Sequence, residues 1–225
     1  MRNTLYHAPL ACSLAARYAA AEGEVPLDIS WLNLRTKELM QGGSLYDINP
    51  LGQVSVLALE DGQVITETST VLMWIQSQSK VSEFRRDPSD PEYFQLMRWI
   101  SFCSSELHKQ IFRVVFYNEA TDEVKDKVRA LAPARLQVLD NHLGQNEYLV
   151  GKTFSAADAY LAWFFVLAGQ AGLDHSGYAN LKAYEEKVQN RPSLKLMRDE
   201  DLSICLLYTS PSPRDATLSR MPSSA

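Results

Sequence analysis

Between residues 3 and 78 the apolar positions keep changing their period. Thr4 to His7 reads as a short strand, and Ser13 to Ala21, mostly Ala, Leu and Arg, as a helix. Leu27 to Leu32 alternates apolar and polar residues, the pattern of a half-buried strand. Asn49-Pro50-Leu51-Gly52 is a turn signal. Val54 to Leu59 and Gln63 to Ile65 flank Glu60-Asp61-Gly62, where Asp-Gly marks a hairpin. Thr66 or Thr68 is placed to cap a helix running to about Gln78. The order β-α-β-turn-β-β-α, with one strand pair joined by a helix and one by a hairpin, predicts a mixed sheet.

Residues 80–90 lose this periodicity and gain Ser, Arg, Asp and Pro, the composition of a linker. Beyond them the patterns are helical, with helices expected over 91–117, 121–143, 155–171, 179–190 and 193–200. Ser155-Ala156-Ala157-Asp158 resembles a capping box with Asp in place of Glu. The helix it opens, with Tyr160, Leu161, Trp163, Phe164, Phe165 and Leu167, is apolar nearly all round and reads as a central buried helix. From about Ser203 the chain turns rich in Ser and Pro. Disorder is expected over 203–225, and the stretch from Leu206 to Asp215 resembles translated adapter or vector sequence. The expected domains are thus 1–79 and 91–202.

A hydrophobic fraction of 46% over 225 residues supplies a sizeable core, and a net charge of -5 argues against a nucleic-acid partner. Cys12, Cys103 and Cys205 are odd in number and far apart, so neither a disulfide framework nor a metal site is expected. A reducing, cytoplasmic location fits them. His7, Pro9 and Arg17 interrupt the first apolar stretch, which is therefore not read as a signal peptide. The run from Ala159 to Gly169 is too short to span a bilayer, so no membrane partner is expected.

Five short segments carry candidate chemistry. Cys12 lies where a strand gives way to a helix, and there free N–H groups and the helix dipole favour a thiolate or a bound anion. It equally suits a small apolar filler. The sequence continues Ser13-Leu14-Ala15, so a partner thiol for Cys12 must come from outside. Ser13 has a hydroxyl to offer a thiolate, or a helix to cap. Gln53-Val54-Ser55 offers an extended edge to a peptide-like ligand. Glu67-Thr68 pairs a carboxylate and a hydroxyl with helix-start N–H groups, a set that suits an amino-acid head group or simple capping. Glu106-Leu107-His108-Lys109 places an acid–base group beside a cation, although the two neighbours should diverge by about 100° around an α-helix.

Taken together, Leu5-Tyr6, Ala11-Cys12-Ser13-Leu14, Asn49 to Val54, Thr66-Glu67, Ser105 to Lys109 and Phe154 to Asp158 resemble the glutathione transferase family, its bacterial beta class in particular. The resemblance covers residues 3 to about 201. It implies a thioredoxin-like α/β domain (βαβαββα) followed by an all-α bundle, with glutathione as co-substrate and a homodimer as the assembly. It implies catalytic roles for Cys12, Ser13 and His108. Glutathione contacts are implied for Tyr6, Lys37, Gln53, Val54, Glu67, Thr68 and Lys109, and for Glu106 across a dimer interface. The activity implied is transfer of the glutathione thiolate to small hydrophobic electrophiles held in a pocket that includes Phe112 and Phe116. Thiol transfer through a Cys12 mixed disulfide, and a non-catalytic binding protein of the same fold, are the alternatives. The family's usual cis-proline after Val54 is here Ser55, which leaves open a retained cis bond or a trans peptide with shifted pairing.

Overall fold

The structure is a computed structural model that describes residues 2–209, with side chains through residue 205. The first unit runs β1 (Thr4–His7), α1 (Ser13–Glu22), β2 (Asp28–Trp31), a short 3-10 turn (Leu45–Asp47), β3 (Val56–Ala58), β4 (Val64–Thr66) and α2 (Thr68–Gln78). The four strands form one sheet in the order β2-β1-β3-β4. β1 and β2 are parallel, as their helical crossover requires, and β3 pairs antiparallel with both β1 and β4. The mixed sheet is therefore as expected. The expected helix between β2 and β3 is reduced to the 3-10 turn, where Ser44 and Asp47 form a reciprocal capping box.

The remaining elements are helical: α3 (Tyr93–Phe102), a π-helical segment (Cys103–Phe112), α4 (Arg113–Val115), α5 (Asp122–Arg129), α6 (Ala132–Leu143), α7 (Ala156–Ala168), α8 (Ala179–Gln189) and α9 (Pro192–Thr209). Three expectations need correction. The helix expected over 91–117 changes its winding at Cys103. The helix expected over 121–143 is broken before α6, where Pro133 in the first turn has no N–H to continue a helix. The tail expected to be disordered from residue 203 is helical as far as Thr209, because α9 is anchored by Leu194 and Asp201, both fully buried. Residues 210–225, the rest of that tail, lie outside the described residues.

One buried apolar cluster joins the sheet unit to the helices. Leu14, Ala15 and Tyr18 of α1 share it with Trp99, Leu107, Ile111 and most of α7. The segment between the two units is also tied down. Phe84 is buried, its carbonyl accepts from Gln76 Nε2, and Gln76 Oε1 accepts from Ala156 N at 2.7 Å. A single buried amide thus connects α2, the linker and the start of α7.

α7 is buried on nearly every face, as its composition predicts. Its start depends on Asp158, which is fully buried and accepts from Ser155 N at 2.9 Å, Ser155 Oγ at 2.6 Å, Leu149 N at 2.9 Å and the Tyr184 hydroxyl. Removing such an acceptor leaves several buried donors unsatisfied, each a cost of about 1–3 kcal/mol. Asp158→Ala is therefore expected to lower stability by about 3 kcal/mol or more in a denaturant titration. A loss within about 0.5 kcal/mol, the range of ordinary surface changes, would show that the box does not anchor the helix.

Candidate functional site

The turn from β1 into α1 sets the floor of the site. Leu10 has φ +58, a conformation unusual for a bulky side chain, and the turn is held from three sides. Leu10 N donates to Asp201 Oδ2 at 2.7 Å, Trp163 Nε1 donates to Leu10 O at 3.0 Å, and Cys12 Sγ donates to Val54 O at 3.1 Å. Cys12 is the N-cap of α1 and is almost buried. Its thiol pKa is raised, because burial outweighs the hydrogen bonds from Thr68 and Ser55 and the charge of Lys109. The helix-start position suggested a thiolate; desolvation makes Cys12 a neutral thiol in the unliganded protein.

Opposite Cys12, Asn49 shapes the next turn by donating Nδ2 to Gln53 O at 2.8 Å and accepting from Leu51 N at 3.2 Å. Gly52 has φ +58, and a Cβ there would stand 2.5 Å from the Tyr46 ring, so a side chain would strain the backbone and displace that ring. The Val54–Ser55 peptide is cis, which resolves the alternative left by the sequence. Ser55 and Thr68 pair through their hydroxyls at 3.2 Å.

Between this edge and the helices lies a cavity of about 430 Å³. Cys12, Gln53, Val54 and Lys37 line it from the sheet unit, and His108, Lys109 and Phe112 from the π-helical segment. Phe116, Trp163, Leu167, Pro9 and Leu10 complete an apolar wall. The wider winding turns each residue through less than the α-helical 100°, so the neighbours His108 and Lys109 both reach the cavity. Lys37, at φ +66, is forced into the left-handed region and has its pKa lowered by burial and then by the charge of Arg113. A second hollow, of about 510 Å³ near the end of α7, holds a His175–Glu185 pair at 2.6 Å and is lined by Ser176 and Lys182 but by no cysteine.

Other expected residues do not themselves line this cavity. Ser13 is the first residue of α1, not its cap, and its fully buried hydroxyl meets His7 Nδ1 at 2.8 Å. His7 Nε2 faces Asp201 Oδ1 at 3.0 Å. A carboxylate only accepts, so Nε2 carries the proton, and Nδ1 takes the Ser13 proton. Burial lowers the His7 pKa despite Asp201, which keeps the ring neutral. The Ser13 proton is thus committed away from the cavity. Glu106 pairs with Arg135 at 2.9 Å in the same chain. Glu67, at φ +66 as the N-cap of α2, lies 3.7 Å from Lys109, and Thr68 is buried behind it. Tyr6 packs with Leu32, Leu45 and Val56 on the sheet.

Residues not singled out as site residues also meet at the cavity: Leu10, Arg113, Leu167 and Gln170 line it, together with Trp163 of the buried helix α7, which suited either the pocket or the core. Arg113 lies four residues beyond Lys109, a spacing that puts the two on neighbouring positions of one helix face. The Asp201 anchor had no local signal, since its partners His7 and Arg17 are far away in sequence.

A thioredoxin-like sheet unit and a helical unit thus share one cavity that a cysteine lines. The sequence profile of the glutathione S-transferase C-terminal domain matches residues 105–197. The structure of a bacterial beta-class glutathione S-transferase from Sphingomonas chungbukensis is similar with a TM-score of 0.82 and 31% identity, covering 88% of this chain and 98% of that one. This chain belongs to the glutathione S-transferase family, and within it resembles the bacterial beta class. A sphingomonad glutathione S-transferase complexed with glutathione gives a TM-score of 0.83 at 28% identity, covering 88% of this chain and 98% of that one. Glutathione S-transferase GstA of Escherichia coli O157:H7 is 27% identical over 191 residues, 85% of this chain and 94% of the relative.

His108 has a testable electrostatic signature. Its Nδ1 lies 2.8 Å from the Tyr160 hydroxyl and its ring meets Trp163 edge-on at 4.8 Å. Burial, then the charges of Lys109 and Arg113, lower its pKa to about 3. Between that value and the unfolded value of about 6.5 the unfolded chain binds the extra proton, so stability falls as pH falls through this window. His108→Gln is expected to flatten that acid loss in denaturant titrations at stepped pH. An unchanged slope would mean that His108 is not held neutral.

Proposed function

We propose that the chain is a glutathione transferase that conjugates the glutathione thiolate to small hydrophobic electrophiles. The observation that carries this reading is the cavity itself: the near-buried Cys12 lies between a strand edge fit for a tripeptide and an aromatic wall fit for an apolar substrate. Gln53 and Val54 would pair with the peptide backbone, as the resemblance implies. Glu67 and the start of α2 would hold the γ-glutamyl end, and Lys37 and Lys109 the glycyl end and the sulfur region. A free thiol has a pKa of about 8.5, and lowering it by one unit raises the thiolate fraction at pH 7 about eightfold. Lys109 favours the bound thiolate by its charge, while the Cys12 S–H is already donated to Val54 O. His108, neutral, serves as a hydrogen-bonding group and not as an acid.

In conjugation the thiolate attacks the electrophilic carbon, the carbon–sulfur bond forms and the leaving group departs. Phe112, Phe116 and Trp163 orient the acceptor, and the protein needs to form no covalent bond. The Ser13 hydroxyl, committed to His7, serves this chemistry by holding the start of α1. A homodimer belongs to the same reading, supported by family membership and by the exposed Phe94 and Met97, one turn apart on α3.

Cys12 also favours a second reading, because its sulfur sits at the cavity floor and a mixed disulfide with glutathione would support thiol transfer. Cys12→Ala separates the two. Conjugation of an aryl chloride is expected to survive within about tenfold, a loss of about 1.4 kcal/mol in transition-state binding, while any disulfide reductase activity disappears. Loss of conjugation to the uncatalysed rate would overturn the primary reading.

A further inference from the structure

The charge around the cavity is one-sided. The chain carries 27 acidic against 22 basic residues, yet the cavity lining includes Lys37, Lys109 and Arg113 and no Asp or Glu. Among the described residues, no carboxylate lies within ion-pair distance of Lys37 or Arg113; Lys109 alone has one, Glu67 at 3.7 Å. The Arg113 guanidinium lies 5.7 Å from the Tyr117 ring centre and stays close enough to Lys37 to disfavour that ammonium. Lys37, Lys109 and Arg113 thus share one cavity whose lining holds no carboxylate.

This inference rests on the transferase reading. Glutathione brings two carboxylates and a thiolate. Under that reading the γ-glutamyl carboxylate goes to the start of α2, and Lys37 and Lys109 serve the glycyl carboxylate and the sulfur. Arg113 is left over. It immediately follows Phe112 in the chain and lines the same cavity as Phe112 and Phe116, the residues expected to meet the second substrate. We infer that Arg113 is a specificity-determining residue, and that the second substrate is an aromatic or similarly apolar electrophile bearing a carboxylate, which the guanidinium grips as a two-pronged donor.

The test uses a matched pair of aryl chlorides, 4-chloro-3,5-dinitrobenzoate and its neutral carboxamide. In both, the glutathione sulfur attacks the chlorine-bearing carbon, the carbon–sulfur bond forms, chloride leaves with the bonding pair, and the thiol proton passes to solvent. Each kcat/KM is divided by the uncatalysed rate with glutathione, which removes the electronic difference between the probes. The full chain is expected to favour the carboxylate by about tenfold or more, as a charge-assisted hydrogen bond allows. Arg113→Gln should bring the ratio to about one, with the KM for glutathione unchanged, and Arg113→Lys should restore part of the preference.

Equal use of both probes by the unaltered protein would overturn the inference, as would an equal loss of both in Arg113→Gln. A raised KM for glutathione with the ratio intact would also overturn it, and would assign Arg113 to the tripeptide's own carboxylate. Turnover of neither probe would count against the transferase reading instead. Calorimetry with the two preformed glutathione conjugates then reads Arg113 directly. Tighter binding of the carboxylate conjugate, lost in Arg113→Gln, supports the inference, and equal binding overturns it.

Discussion

The Asp201 carboxylate is the tie on which the rest of the site depends. It comes from α9, is fully buried, and accepts from Leu10 N at 2.7 Å, Arg17 Nη1 at 2.6 Å and His7 Nε2 at 3.0 Å. Those partners belong to the turn before Cys12, to α1 and to β1. A buried carboxylate is costly unless its oxygens are fully engaged, and here they are. The result is geometric. The strained turn at Leu10 cannot relax without breaking a charged hydrogen bond, and Trp163 holds its carbonyl from the other side. Cys12 is therefore fixed by the helical unit as much as by the sheet that carries it. Ser13 belongs to this scaffold through His7, which explains why its hydroxyl does not face the cavity.

The scaffold supports a cavity with two characters. Its wall is aromatic and its rim is cationic, inside a chain whose net charge is negative. The low-dielectric wall strengthens each charge interaction and pushes the unliganded Cys12 and His108 toward their neutral forms. A neutral thiol and a neutral imidazole beside lysine and arginine form a site that receives negative charge without carrying any of its own. The π-helical segment contributes by placing two adjacent side chains, His108 and Lys109, on the same side of the helix.

Much of this was readable from the residues. The changes of period located all four strands and the mixed sheet, because side-chain alternation is a local signal. Ser155 and Asp158 marked the start of the central helix through a contact three residues apart. What stayed hidden involves distance or winding. His7 and Asp201 are 194 residues apart, so no spacing announces their bond. The π winding lies over Leu107, Ile111 and Phe112, which share a buried cluster with α7, and residue propensity does not report it. The break before α6 had a visible cause in Pro133, which was outweighed by the long helical pattern around it. The cavity residues named by resemblance divide in the same way: Cys12, Val54, Lys37, His108 and Lys109 converge, while the Ser13 hydroxyl is occupied by His7, a partner that only the fold supplies.

The central claim is that this cavity takes up glutathione as an anion held by a cationic rim. Calorimetric titration with reduced glutathione, repeated in buffers of different ionisation enthalpy, measures both affinity and proton release. The account predicts binding in the micromolar to low-millimolar range, with net release of protons near neutral pH as the thiol ionises. Absence of binding at millimolar glutathione, or binding with no proton release, would contradict it.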